Sequence, residues 1–112
     1  MRPLCAEVDL NAIRFNFDLL AAKAGRAKLI AVVKADAYGH GLVPVARVLS
    51  EKAAKLAVAC LDEAMVLRAA DIRCPIVVLE GFFSAEELLA GESLGGIEWV
   101  IHEEYQWHLL NT

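Results

Sequence analysis

A lysine closes a run of strand-forming residues, Ile30-Ala31-Val32-Val33-Lys34, and opens a polar segment bounded by glycines, Ala35-Asp36-Ala37-Tyr38-Gly39-His40-Gly41. A lysine at the end of a buried strand is partly withdrawn from water, which favours the neutral amine over the ammonium ion. A neutral amine attacks an aldehyde, so Lys34 has the position of a Schiff-base lysine. The same spacing also fits a solvated lysine that merely ends the strand. Tyr38, four residues on, carries a phenol that could hold a phosphate oxygen or a carbonyl, or could be a half-buried loop aromatic. Gly39 and Gly41 allow backbone conformations closed to other residues and close approach to a ligand. The segment is neither GxxxxGK nor GxGxxG, so it is no known phosphate-cradling loop. Asp36 reads as a loop hydrogen-bonder and His40 as a structural residue at a helix start. His102 and His108 read as surface residues, and Trp99 and Trp107 as packing.

The elements around the lysine alternate. Leu4 to Val8 is a short extended segment. Asp9 can cap a helix whose Leu10, Ile13, Phe17, Leu20, Ala21 and Ala24 share one face, and Gly25 can stop it. Lys28 to Val33 is nearly all apolar and rich in β-branched residues, as in a strand covered on both faces. A helix follows from Leu42, with Pro44 tolerable in its first turn. Leu56 to Leu61 is a second strand, and Asp62 can cap the helix after it. Pro75 to Leu79 is a third strand. Ser84 and Glu87 form a capping box for a helix through Ala90. Gly95-Gly96 turns the chain into a fourth strand, Ile97 to Ile101, and a helix from Glu103 to Leu110 follows. Strands recurring every 19 to 28 or so residues describe consecutive βα units, and an α/β fold with a parallel sheet. A (β/α)8 barrel needs about 250 residues and eight strands. Four units leave two architectures: a small open sheet, or the N-terminal portion of a (β/α)8 TIM-type barrel. Both place sites at the carboxyl ends of strands.

The bulk properties remove other classes. The chain has 112 residues, 58% hydrophobic and 23% charged, which describes one globular domain at most and no disordered segment. A net charge of −4, with no basic stripe, argues against nucleic acid and against an anionic membrane surface. Acidic residues interrupt the N-terminus before any apolar stretch of signal-peptide length, and the apolar runs are far shorter than the ~20 residues of a membrane span. A cytoplasmic protein is the expectation. Cys5, Cys60 and Cys74 are odd in number and widely spaced, which fits reduced, buried thiols and no metal site.

Taken as a string, AVVKADAYGHG (Ala31 to Gly41) closely resembles the pyridoxal-phosphate attachment segment of the alanine racemases. The resemblance extends through Glu7 to Ile13, Leu56 to Arg68 (LAVACLDEAMVLR) and Pro75 to Phe83 (PIVVLEGFF), in the order of the family's first third. It implies that residues 1–112 form the N-terminal part of a pyridoxal-phosphate-binding (β/α)8 barrel domain, with a C-terminal β-rich domain absent from this chain. It implies pyridoxal 5'-phosphate as cofactor, held by Lys34 as an aldimine. Tyr38 would hydrogen-bond the phosphate, and Val32 and Leu79 would touch the cofactor. Lys34 would exchange the Cα proton of alanine on one face. The base for the other face, two arginines and most of the phosphate site come from later segments of such proteins. The complete protein is then expected to be a homodimer that interconverts L- and D-alanine and supplies D-alanine for peptidoglycan, and this chain alone is expected to be inactive. A serine, lysine or broad-specificity racemase of the same fold, or a non-catalytic pyridoxal-phosphate binder, remains an alternative.

Overall fold

Asp9 starts the first helix by chemistry that the sequence announces. Its carboxylate accepts from the amides of Asn11 (3.0 Å) and Ala12 (3.1 Å), satisfying two of the donors that a helix start leaves without partners. The computed structural model describes residues 2–112. In it, α1 (Leu10–Ala24) leads into β1 (Ile30–Val32), a short turn labelled α2 (Lys34–Gly39) and α3 (Leu42–Leu49). Then follow β2 (Lys55–Val58), α4 (Leu61–Ala69), β3 (Ile76–Val78), α5 (Ala85–Leu94), β4 (Ile97–Trp99) and α6 (Glu104–Leu110). Among the described residues no helix is long and apolar enough to cross a membrane.

The four strands are all parallel and pair in chain order, β1-β2-β3-β4. Successive side chains of a strand point to opposite faces, so one face takes alternate residues. Ala31, Val33, Leu56, Val58, Ile76 and Val78 point into the helical layer and are buried. There they meet Leu42, Val45 and Ala46 of α3 and Leu61, Ala64 and Leu67 of α4. At β1 the other face is open: Ile30 is 51% exposed and Val32 41%, although Ala57 beside Val32 is buried. The expectation of a strand covered on both faces therefore fails for β1, because helices line only one side of this sheet. Among the described residues, four parallel strands with helices between them make one open α/β sheet.

Arg68 closes the end of the sheet away from Lys34. Its buried guanidinium donates to the carbonyls of Ile72 (2.7 Å), Cys74 (2.9 Å), Gly95 (3.0 Å) and Gly96 (3.3 Å). These carbonyls lie where the chain enters β3 and β4, so one side chain of α4 fixes the starts of two strands. Burial holds the Arg68 pKa below its ordinary value, and nearby Arg73 adds to this. Burial likewise pushes the Cys74 thiol up.

Several boundaries differ from those expected. The stretch Leu4 to Val8 forms no strand. The second strand ends at Val58, and Cys60, not Asp62, occupies the N-cap of α4. The apolar run continues across this boundary because Leu61 is buried as the first helical residue. α5 runs to Leu94 and places Gly91 against Trp99, where a Cβ would clash with the indole. Trp99 stacks edge-on to Phe82, with centroids 5.3 Å apart, in the packing role expected of it.

Candidate active site

Register carries Lys34 to its place. Val32, Ala57 and Val77 are aligned partners across β1, β2 and β3. Two residues further along each strand lie Lys34, Ala59 and Leu79, on the same open face and just past the strands' carboxyl ends. All three line one cleft of about 550 Å³, which also takes Phe83, His102 and Tyr105. Lys34 is half-buried there. His102 was expected at the surface; it is exposed, but it stands in this cleft and donates from Nε2 to the Leu79 carbonyl at 2.6 Å. The contact with a carbonyl fixes the Nε2–H tautomer. The Tyr105 hydroxyl donates to the Phe82 carbonyl at 3.3 Å, so its proton is already engaged. Neither residue is marked by local sequence, because register across β3 and β4 brings them in.

The polar segment after Lys34 is not an irregular loop. Ala35, Asp36, Ala37 and Tyr38 all have positive φ (52 to 57°) and ψ of 37 to 52°, which makes a left-handed turn of four consecutive non-glycine residues. Each such residue costs about 1–2 kcal/mol relative to right-handed backbone. Specific bonds hold it. The Ala37 amide donates to the Val33 carbonyl (2.9 Å), and the Gly41 amide to the Asp36 carbonyl (3.0 Å). The Asp36 carboxylate accepts from the Leu42 amide (2.8 Å) and so caps α3 from within the turn, the loop-bonding role expected of it. His40 Nδ1 lies 3.1 Å from the Ala37 carbonyl, a structural contact.

The left-handed turn separates the four expected site residues into two hollows. Lys34 and Leu79 share the cleft. Tyr38, 60% exposed, lines a second hollow with Val32, Ile13, Ala37, His40 and Val45.

The rim of the cleft repeats one device. At the third position of α4, α5 and α6 stand Glu63, Glu87 and Gln106. Each side chain accepts, at 2.7 Å, from the amide just before its helix cap: Ala59, Phe83 and His102. Two of them also reach back to the preceding unit. Gln106 donates to the Phe82 carbonyl at 2.9 Å, and Glu63 accepts from the Ala35 amide at 2.7 Å. Gly81 is required here, because a Cβ would sit 2.7 Å from Gln106 Nε2 and its φ is +75°. The sequence signal for the device is Glu or Gln at the third helical position; Ser84-Glu87 is its recognisable case, although Glu87 bonds the Phe83 amide.

A sequence model of the alanine racemase N-terminal domain matches residues 8–112. The chain belongs to the alanine racemase family. It is 51% identical over 111 residues to an alanine racemase of Hahella chejuensis, covering 99% of this chain and 30% of that protein. It is 44% identical over 107 residues to the alanine racemase of Thioalkalivibrio sulfidiphilus, covering 96% of this chain and again 30% of the relative. The fold superposes on the biosynthetic alanine racemase of Pseudomonas aeruginosa with a TM-score of 0.90 at 42% identity, over 99% of this chain and 31% of that one. The chain thus spans about a third of the length of the alanine racemases it matches, and its four βα units correspond to the N-terminal part of their barrel domain.

Proposed function

We propose that this chain carries the cofactor lysine of an alanine racemase that uses pyridoxal 5'-phosphate. The observation that supports this most is the placement of Lys34: half-buried, at the carboxyl end of β1, opening into a cleft flanked by Leu79. These residues fit the cofactor. A primary amine suits an aldehyde, and about 550 Å³ lies within the ~300–1,000 Å³ range of cofactor pockets. When bound, pyridoxal phosphate supplies an electron sink that acidifies the Cα–H bond of an amino acid.

Lys34 Nζ has two tasks in this reading. It would hold the cofactor's aldehyde group, and as a free amine it would take or return a proton at Cα from its own side. Ala59 and Leu79 give its surroundings an apolar wall. Tyr38, which in this reading would bind a phosphate oxygen, and Val32, which would touch the cofactor, line the second hollow and not the cleft of Lys34 and Leu79; the assignment of these two residues rests on the family resemblance. Racemisation needs a proton donor on the opposite face of Cα as well. In the complete enzyme, a cytoplasmic homodimer serving D-alanine supply for peptidoglycan, that group comes from outside these residues.

The test is titration of the chain with pyridoxal phosphate, borohydride reduction and peptide mapping. The expected result is one label per chain, on Lys34, lost in Lys34→Ala. Label spread over Lys23, Lys28, Lys52 and Lys55 overturns the assignment.

A further inference from the structure

We propose that Glu63 is the positioning residue for Lys34, acting through the Ala35 amide. This rests on the reading of Lys34 as the cofactor lysine. Glu63 Oε2 accepts from the Ala35 amide and Oε1 from the Ala59 amide, each at 2.7 Å. The Ala35 N–H belongs to the peptide unit formed with the Lys34 carbonyl. Holding that peptide fixes the backbone torsion of Lys34 and the direction in which its side chain leaves the sheet. Ala59 is itself a wall of the cleft. One carboxylate therefore sets the lysine turn and the end of β2 at a common distance.

A helix cap accounts for only half of this. Glu87 makes the same local bond at the start of α5, from the Phe83 amide at 2.7 Å. What Glu63 adds is a bond to a residue 28 positions earlier, in the preceding βα unit. The bond falls on Ala35, the first residue of the left-handed turn (φ 53°). An ionised acceptor makes such a bond shorter and stronger than a neutral one. The carboxylate is held by a rigid support: Ala64 and Leu67 of the same helix are fully buried in the core. A reactive group set by packed neighbours in this way is held close to one geometry.

The experiment compares wild-type chain, Glu63→Gln and Glu87→Gln. Glu63→Gln puts an amide NH2 where one carboxylate oxygen stood, so one backbone donor faces another donor. Glu87→Gln removes a carboxylate from an equivalent cap and serves as the matched control for stability. Two readouts are taken: the pyridoxal-phosphate concentration for half-maximal borohydride-trapped label on Lys34, and hydrogen exchange across Val33 to Ala37. The expected result is about a tenfold rise in the half-saturating concentration for Glu63→Gln, from the loss of one bond to a charged acceptor. Faster exchange at Ala35 should accompany it, with exchange in the core of α4 unchanged and Glu87→Gln within about twofold of wild type on both readouts. Wild-type affinity in Glu63→Gln, or an equal loss in Glu87→Gln, overturns the proposal. If the wild-type chain takes no label on Lys34, it is the cofactor reading that fails. Exchange at Ala35 then decides alone: faster exchange in Glu63→Gln supports the tether, and no change overturns it.

Discussion

Arg68 shows what a single side chain can hold. A planar, always charged fork reaches four carbonyls at once, which no other residue type can do from one position. Arg68→Met fills similar space but removes the guanidinium from these carbonyls, of which Gly96 still accepts from the Ile76 amide (3.0 Å). Unfolding in urea should show a loss of about 3 kcal/mol. Arg68→Lys should recover little, since a point donor cannot follow the fork. Gly96 is tied to the same group: its φ is +66°, and a Cβ there would sit 2.9 Å from the guanidinium. By contrast the exposed pairs Lys52–Asp18 (2.9 Å) and Arg73–Asp71 (2.6 Å) lie in water and add little.

At the scale of the element, the left-handed turn α2 is the feature with the largest local cost. It persists because the surrounding bonds over-determine it: Val33 and Asp36 carbonyls from within, the Asp36 carboxylate on Leu42, and Glu63 from across the sheet. Ala35 is exposed and has φ 53°, so Ala35→Gly removes strain without opening a cavity. Thermal unfolding should show stabilisation of up to about 1 kcal/mol, as relieved φ strain outweighs the greater freedom of glycine in the unfolded chain. Strain of this kind gathers where side chains must be aimed, and here the turn aims Lys34 into one hollow and Tyr38 into another.

At the scale of the whole molecule, β1 and β4 each pair on one side only among the described residues, and the sheet's second face exposes Ile30 and Val32. Unpaired strand edges beside apolar surface invite association. Purified alone, the 112 residues should sediment as oligomers in analytical ultracentrifugation; a single sharp monomer boundary contradicts this. The same chain, free of host racemase, should not racemise L-alanine measurably in a coupled D-amino-acid oxidase assay. One amine at one face of Cα does not complete a two-sided proton exchange. Clear turnover overturns that expectation.

The sequence by itself determined the alternation of strands and helices, the Asp9 and Ser84 caps, and the place of Lys34, because periodicity, cap chemistry and a specific local string are properties of neighbours along the chain. Other features escaped it. The apolar run Leu56 to Leu61 does not say where strand gives way to helix, since both bury apolar side chains. Lys28 to Val33 does not say that one face is left open. Four successive positive φ values at Ala35 to Tyr38 were invisible too, because none of those residues prefers that conformation; only bonds from elsewhere impose it. Tertiary structure alone decided that Lys34, Ala59 and Leu79 fall in one row, that His102 and Tyr105 enter the same cleft, and that Glu63 holds Ala35. Those relations depend on sheet register, which is set by packing between residues far apart in the chain.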